Sequence, residues 1–381
     1  MTSSLDANRS AGGTKLPPAL RAVLVVLFLY LFLVGVAFLE AGIAAMGAGF
    51  QAGLLRSVSH PISGLCAGIL ATVLVQSSSV STSTIVGMVG AGTLPLGLAV
   101  PMIMGANIGT TVTNTLASLG SIRRAEEFRR AFAAATVHDF FNLLAVAVLL
   151  PIELATGMLS FLAGELTEMV RGTEIDVTQP PRSPIRVAVR LPVAWAEGLL
   201  EPGTVAGFAF LAVGLGLIFL ALALITRNMR RLVAGGVERV MNQLIGRGGG
   251  AVGILVGIGV TVAVQSSSIT TSILVPLVAA GVLTLPSAYP ITLGANVGTT
   301  ITALIASLAV LRPEGLTIAF VHLLFNLVAL AILYPVPQVR LIPVRLAEAL
   351  ADVATRRHRV VFAYSISLFL VLPLLGVFLI R

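Results

Sequence analysis

"VQSSSVSTSTIVGM" (Val75–Met88) sets a glutamine and a run of hydroxyl side chains inside a stretch that holds no Asp, Glu, Lys or Arg from Pro61 to Leu119. Lipid offers the backbone no hydrogen bonds. Polar or irregular chain at membrane depth therefore survives only where it is buried in protein or lines a wet cavity. One serine in such a place is explained by back-bonding to the carbonyl a turn earlier. Here the whole tract recurs. "QSSSITTS" (Gln265–Ser272) repeats it, and Gln76–Thr113 aligns without a gap on Gln265–Thr302, with 21 of 38 positions identical.

Outward from the two tracts the repeat continues. "GANIGTT" (Gly105–Thr111) answers "GANVGTT" (Gly294–Thr300), and "HDFFN" (His138–Asn142) answers "HLLFN" (His322–Asn326) after a five-residue contraction. The 381 residues are 57% hydrophobic and 10% charged, against roughly 25% charged in soluble domains. With a mean hydropathy of +1.01, the chain reads as a polytopic membrane protein, all-α. The formal charge of +8 is assigned to arginines in short loops that set topology, not to a nucleic-acid partner. A single cysteine, Cys66, excludes an internal disulfide. The first apolar run is too long for a signal peptide.

The chain divides into a polar cytoplasmic tail (1–20), a first transmembrane repeat (21–151), and an extracytoplasmic loop with amphipathic pieces (152–203). A second repeat (204–335), a basic interfacial connector (336–359) and a final span (360–381) follow. "SIRRAEEFRR" (Ser121–Arg130) and "TRNMRRLVAGGVERVMNQLIGRGGG" (Thr226–Gly250) read as charged loops. If each QSSS tract is the tip of a re-entrant helical hairpin, each repeat has three full crossings and the halves are inverted. Segments 1–21, 120–131, 227–247 and 335–359 then share one face and hold 17 basic residues, against 6 in segments 49–60, 152–203 and 311–315. That bias places the first face, and the N-terminus, in the cytoplasm. The expected architecture is about seven full spans and two hairpins in inverted repeats.

A chain reversal at Gln76–Ser79 starts a half-helix whose free N–H groups and positive dipole end point at the tip. Hydroxyls add donors there, and the Gln amide both donates and accepts. Gln265, Ser266, Ser267 and Ser268 would do the same from the opposite side. Gln76, Ser77, Ser78 and Ser79 with their four counterparts are thus the candidate site for a tetrahedral oxyanion. Residues 61–119 and 248–311 contain no Lys or Arg. A multiply charged anion desolvated among neutral dipoles is costly, so a cation must accompany it. Sodium takes hydroxyl, amide and unwound carbonyl oxygens. The candidate sodium ligands are Ser81, Ser83, Asn107, Thr110, Thr111, Thr270, Asn296, Thr299 and Thr300, with no transition metal implied. Gly105, Gly109, Gly294 and Gly298 are expected to let their helices unwind.

His138 and Asn142 share a helix face, as do His322 and Asn326. They read as buried groups that bond a neighbouring helix, with proton sensing as the alternative. Glu40 and Asp139 are the only acids within the apolar spans. Each is either a functional acid or a helix-end residue that reaches the interface. Asp139 has Leu323 as its repeat partner, which makes it an asymmetric feature.

The doubled QSSS, "PMIMGANIGTTVTN" (Pro101–Asn114) and "EFRRAFAAATVHDFFN" (Glu127–Asn142) resemble the type II sodium-phosphate cotransporter family, with this chain as a bacterial member. The resemblance covers about residues 20–335. It implies sodium-driven uptake of inorganic phosphate across the bacterial cell (inner) membrane, with no cofactor beyond sodium as coupling ion and with lipid as the surrounding partner. It assigns substrate binding to Gln76–Ser79 and Gln265–Ser268, and a nearby sodium-related role to Asn107–Thr111 and Asn296–Thr300. The central loop lacks the cysteines of vertebrate members. The expected oligomeric state is monomer or homodimer.

From the residues alone, three other readings stand beside phosphate symport. A sodium-coupled carrier of sulfate would use the same neutral donors. An intramembrane serine hydrolase would need a base beside one of the serines. An anion channel would also use opposed half-helices.

Overall fold

The computed structural model describes residues 17–47, 60–171, 184–201, 203–244, 249–310 and 312–380, and the regular elements among them are helical. Among the described residues six helices are long and apolar enough to cross a membrane: Pro18–Ala45, Leu96–Ser121, Ala125–Thr156, Thr204–Met229, Pro313–Leu333 and Arg359–Leu379. The seventh expected span, Leu285–Ser307, has 23 residues, and "GANVGTT" dilutes its apolarity.

Between these spans lie two helix pairs. The first is α2 (Pro61–Val75) and α3 (Ser78–Gly90), which follow α1 (Pro18–Ala45). At ~1.5 Å per residue a 15-residue helix such as α2 reaches only about 22 Å, short of a ~30 Å hydrocarbon core. Pro61 opens α2 behind a cap in which the His60 ring accepts from Ile62 N–H and the Ser63 hydroxyl closes the box. Gln76 closes it in the left-handed region (φ 56°, ψ 23°), and Ser77 caps α3 by accepting from Val80 N–H. Next come α4 (Leu96–Gly109), α5 (Val112–Ser118), α6 (Ala125–Thr156), α7 (Met158–Arg171), α8 (Pro184–Glu197) and the long α9 (Thr204–Leu244). The second pair is α10 (Gly250–Val264) and α11 (Ser267–Ala279), followed by α12 (Leu285–Ser307) and α13 (Pro313–Leu333). It reverses at Gln265 (φ 57°, ψ 31°) with Ser266 as cap. These two glutamines are the non-glycine residues with positive φ among those described.

The glycines of the repeat do not unwind their helices, contrary to expectation. Helix α12 runs unbroken through Gly294 and Gly298, and the break after Gly109 is confined to Thr110–Thr111, both still in right-handed helical geometry. The glycines instead bring helix axes together. A Cβ added to Gly68 would lie 2.0 Å from Met102 O, and one on Gly105 would lie 2.0 Å from Leu65 O. In the second repeat Gly257 meets Ile291 O and Gly294 meets Ile254 O, again at 2.0 Å. Each of these four pairs is displaced from its counterpart by the sequence offset, so the hairpin arms dock on α4 and α12 in the same way. Without a hydrophobic drive between helices in lipid, small residues that let backbones approach are what hold such pairs. The same device joins α1 to α9, where Gly35 faces Gly214 O and Gly42 faces Gly207 O.

Two segments expected as charged loops are helical. Helix α6 begins at Ala125 inside "SIRRAEEFRR", with Glu126 and Glu127 in its first turn, where the helix dipole favours acids. Helix α9 continues to Leu244 through the basic stretch. The connector folds as α14 (Pro337–Arg340) and α15 (Ile342–Arg356); α15 buries Val344, Ala347, Ala351 and Ala354 along one stripe. Asp352 of α15 pairs with Arg129 of α6 at 3.4 Å. The last span comprises α16 (Arg359–Ile366), a π-helical turn (Ser367–Val371) and α17 (Leu372–Leu379). It docks on α2, with Gly376 against the Cys66 sulfur.

Candidate functional site

The two hairpin tips meet. Gln76, Ser77, Ser78 and Ser79 line one cavity of about 220 Å³ together with Gln265, Ser266, Ser267 and Ser268. Helix α9 closes one wall with Phe219, Leu222, Ala223 and Thr226. No charged side chain is among the described residues lining it. The local sequence explains this geometry. Ser77 and Ser266 are β-region caps whose hydroxyls take the N–H of Val80 and Ile269, and their carbonyls take the N–H of Ser81 and Thr270. The amides of Ser78 and Ser79, and of Ser267 and Ser268, are left at the heads of α3 and α11 without intrahelical partners. Two positive helix ends therefore face the same space.

The glutamines do more than line the cavity. Gln76 Nε2 donates to Val73 O at 2.5 Å, and Gln76 Oε1 accepts from the Thr113 hydroxyl at 3.1 Å. Gln265 repeats both bonds, to Val262 O at 2.7 Å and from Thr302 at 3.1 Å. Each amide thus caps the end of its own helix arm and ties the tip to the neighbouring helix, with one N–H left over. Thr113 and Thr302 were not anticipated as site residues. Their signal was present, since they are the last identical pair of the aligned repeat.

The candidate sodium ligands divide. Ser81 and Thr270 sit one turn inside the tips, each donating to the cap carbonyl, Ser77 O at 3.2 Å and Ser266 O at 3.3 Å. Thr110, Thr111, Thr299 and Thr300 are buried, and their hydroxyls donate back to Ala106, Ile108, Ala295 and Val297 carbonyls. Such a hydroxyl keeps its lone pairs. Ser83 is fully buried, and its hydroxyl has no partner. Its repeat partner Ser272 donates to Asn114 Oδ1 at 3.0 Å, and Asn114 Nδ2 donates to Thr271 at 2.7 Å. Asn114 has Ala303 as counterpart, which is why only the second hairpin is fastened this way. Likewise Thr261 and Thr270 share a 2.8 Å hydroxyl bond, whereas the Thr72 hydroxyl makes none.

Asn107 and Asn296 belong to a different cluster, away from the cavity lining. Asn296 accepts from His138 Nε2 at 2.5 Å and donates to Asn142 Oδ1 at 2.7 Å. Asn142 Nδ2 donates to Asn107 O at 2.8 Å, and Asn326 Nδ2 approaches Asn107 Oδ1 at 3.5 Å. His138 and Asn142 bond other helices, as buried groups must. Asp139 is fully buried and accepts from the Tyr364 hydroxyl at 2.8 Å, a contact to the last span that no local pattern signals.

Comparison with known proteins agrees with this architecture. The family described as Na+/Pi-cotransporter matches residues 31–171 and 217–339. The chain is 35% identical to sodium-dependent phosphate transport protein 2A of Ovis aries, across 93% of this chain and 67% of that protein. It is 33% identical to protein 2B of Homo sapiens (93% and 64%) and 35% identical to protein 2A of Rattus norvegicus (95% and 67%). The chain spans about two thirds of the length of these relatives. No solved structure matches it. A doubled neutral tip, a repeated glycine-packed hairpin and these similarities have one common explanation: the chain belongs to the Na+/Pi-cotransporter family.

Proposed function

We propose that this protein carries inorganic phosphate into the cell together with sodium, by alternating access, and is not an enzyme. One observation carries the reading: both QSSS tips line a single cavity with no charged side chain among the described residues that line it. Four tip amides and the serine hydroxyls supply donors for the oxygens of a tetrahedral anion, while the leftover Gln N–H groups add to them. Neutral dipoles alone leave a doubly charged anion poorly solvated. Sodium at the hydroxyls just behind the tips, Ser81 and Thr270 first among them, would compensate the charge. Thr110, Thr111, Thr299 and Thr300 are further oxygen ligands for it, and Ser83, Asn107 and Asn296 are remoter ones. Anion affinity then depends on sodium, which is the coupling. No cofactor is required.

The multi-pass chain would lie in a bacterial cell membrane with its N-terminus in the cytoplasm and its halves inverted. Two contacts support that topology. Arg129 of 120–131 pairs with Asp352 of the connector, joining two segments assigned to the cytoplasmic face. Gly92 and Gly281, which end the two hairpins, sit against Arg312 and Arg130, two arginines assigned to opposite faces. No described histidine lines the cavity, and a serine hydrolase would need its base there.

The test is labelled phosphate uptake into proteoliposomes for the parent, Ser78→Ala and Ser267→Ala. Sodium-dependent accumulation, impaired by either change and not competed by sulfate, is expected. Equal uptake in potassium would refute the coupling, and full competition by sulfate would refute the substrate.

A further inference from the structure

The His–Asn cluster at the junction of the repeats is built from three pairs of repeat-related residues: His138 and His322, Asn142 and Asn326, and Asn107 and Asn296. All six are buried. If the repeats were in equivalent conformations, the bonds on one side would reappear on the other. They do not. On one side His138 Nε2 donates to Asn296 Oδ1 at 2.5 Å, and Asn296 Nδ2 donates to Asn142 Oδ1 at 2.7 Å. These bonds tie α6 of the first repeat to α12 of the second.

The counterpart bonds would run from His322 to Asn107 and from Asn107 to Asn326. No bond joins His322 to Asn107 among the described residues. Asn107 Nδ2 turns back to Ile103 O of its own helix at 3.0 Å, and Asn326 Nδ2 turns to His322 O of its own helix at 3.0 Å. Asn326 Oδ1 is left without a partner. The two amides approach in the reverse sense, Asn326 Nδ2 to Asn107 Oδ1, and at 3.5 Å, against 2.7 Å on the other side. Exchanging the amide N and O assignments leaves that gap unchanged.

A buried acceptor with no partner is costly, and the amide pair at this junction stands less than an ångström further apart than its counterpart. Small displacements of packed helices are how such junctions switch between discrete arrangements. In inverted-repeat carriers one repeat moves against the other around a fixed site. We propose that the two clusters are alternately closed latches between the repeats. His138–Asn142–Asn296 is closed in the state seen here, and His322–Asn326–Asn107 closes in the opposite-facing state. Thr226, next to the basic segment assigned to the cytoplasm, lines the cavity, and on that ground we assign the state seen here as inward-facing. The inference rests on the carrier reading above, but it concerns facing and not substrate.

The experiment uses full-length protein with Cys66→Ala and a reporter, Ala223→Cys, in the cavity wall. A membrane-impermeant thiol reagent is applied to either side of oriented vesicles. His138→Phe keeps ring volume and removes the donor of the closed latch. It is expected to raise outside labelling relative to inside by roughly three- to fivefold, the worth of about one net hydrogen bond. His322→Phe is expected to shift the ratio by a similar factor the other way, and the double variant to return toward the parent. Asn142→Leu and Asn326→Leu repeat the comparison should either phenylalanine variant misfold. Shifts in the same direction, or no shift, overturn the latch. A parent labelled from both sides at once in every condition overturns the carrier reading itself.

Discussion

Replacing the hinge glutamines separates strain from function. Gln76 holds φ 56°, ψ 23°, a left-handed conformation that costs a residue with a Cβ about 1–2 kcal/mol. Its side chain offsets that with bonds to Val73 O and from Thr113, worth about 0.5–1.5 kcal/mol each. Gln76→Ala loses both bonds and keeps the strain, so it should destabilise by about 2 kcal/mol. Gln76→Gly also loses both, but releases the strain. After allowance for the greater freedom of glycine in the unfolded chain it recovers about 1 kcal/mol. Both variants remove the amide that lines the cavity. Gly should therefore be the more stable of the two by about 1 kcal/mol in detergent unfolding, while sodium-dependent phosphate uptake per inserted protein falls equally in both. Gln265→Ala and Gln265→Gly should follow the same order. A Gly variant no more stable than the Ala variant would show that the turn stores no strain. A Gly variant that transports like the parent would show that the amide is dispensable.

Other outcomes follow from asymmetries and close contacts. Thr261→Val breaks the bond to Thr270 and should cost about 1 kcal/mol, whereas Thr72→Val at the equivalent position, where the hydroxyl has no partner, should be neutral or stabilising in thermal unfolding. Gly294→Ala puts a methyl 2.0 Å from Ile254 O, so the hairpin arm must move off α12. Loss of a monodisperse species on size exclusion is expected, while Gly259→Ala, which meets nothing within 4 Å, should behave as the parent. Tyr364→Phe removes a donor from buried Asp139 and should destabilise by about 1–3 kcal/mol; unchanged unfolding would show that another group serves Asp139.

The helices, the two hairpins and the tip residues were legible because each rests on local chemistry. The hydroxyl run at each tract marks a chain reversal that starts a new half-helix, and the basic loops gather on one face only if both tracts re-enter. Duplication of the tract marked it as the candidate site, since chance does not place QSSS twice at corresponding points of two repeats. Helical continuation of the charged segments was misread because propensity across "AEEFRR" and "RNMRRL" is helical whatever the charge. The glycines were misread because a repeated spacing of small residues serves either unwinding or close approach, and which one depends on what stands opposite.

What the order of residues determined by itself is the doubled, uncharged, hydroxyl-lined tip in an apolar chain, a matter of composition and spacing along one strand of backbone. Tertiary structure alone decided that Gly68 and Gly105 abut the carbonyls of each other's helices. It also decided that Asn296 faces His138 while Asn107 turns away from His322, and that Tyr364 reaches Asp139. The reason is physical. Those contacts join residues far apart in the chain, and helix packing at close range settles them to within tenths of an ångström. Identical residues in the two repeats leave them undetermined, because the same residues are compatible with a closed and with an open pair.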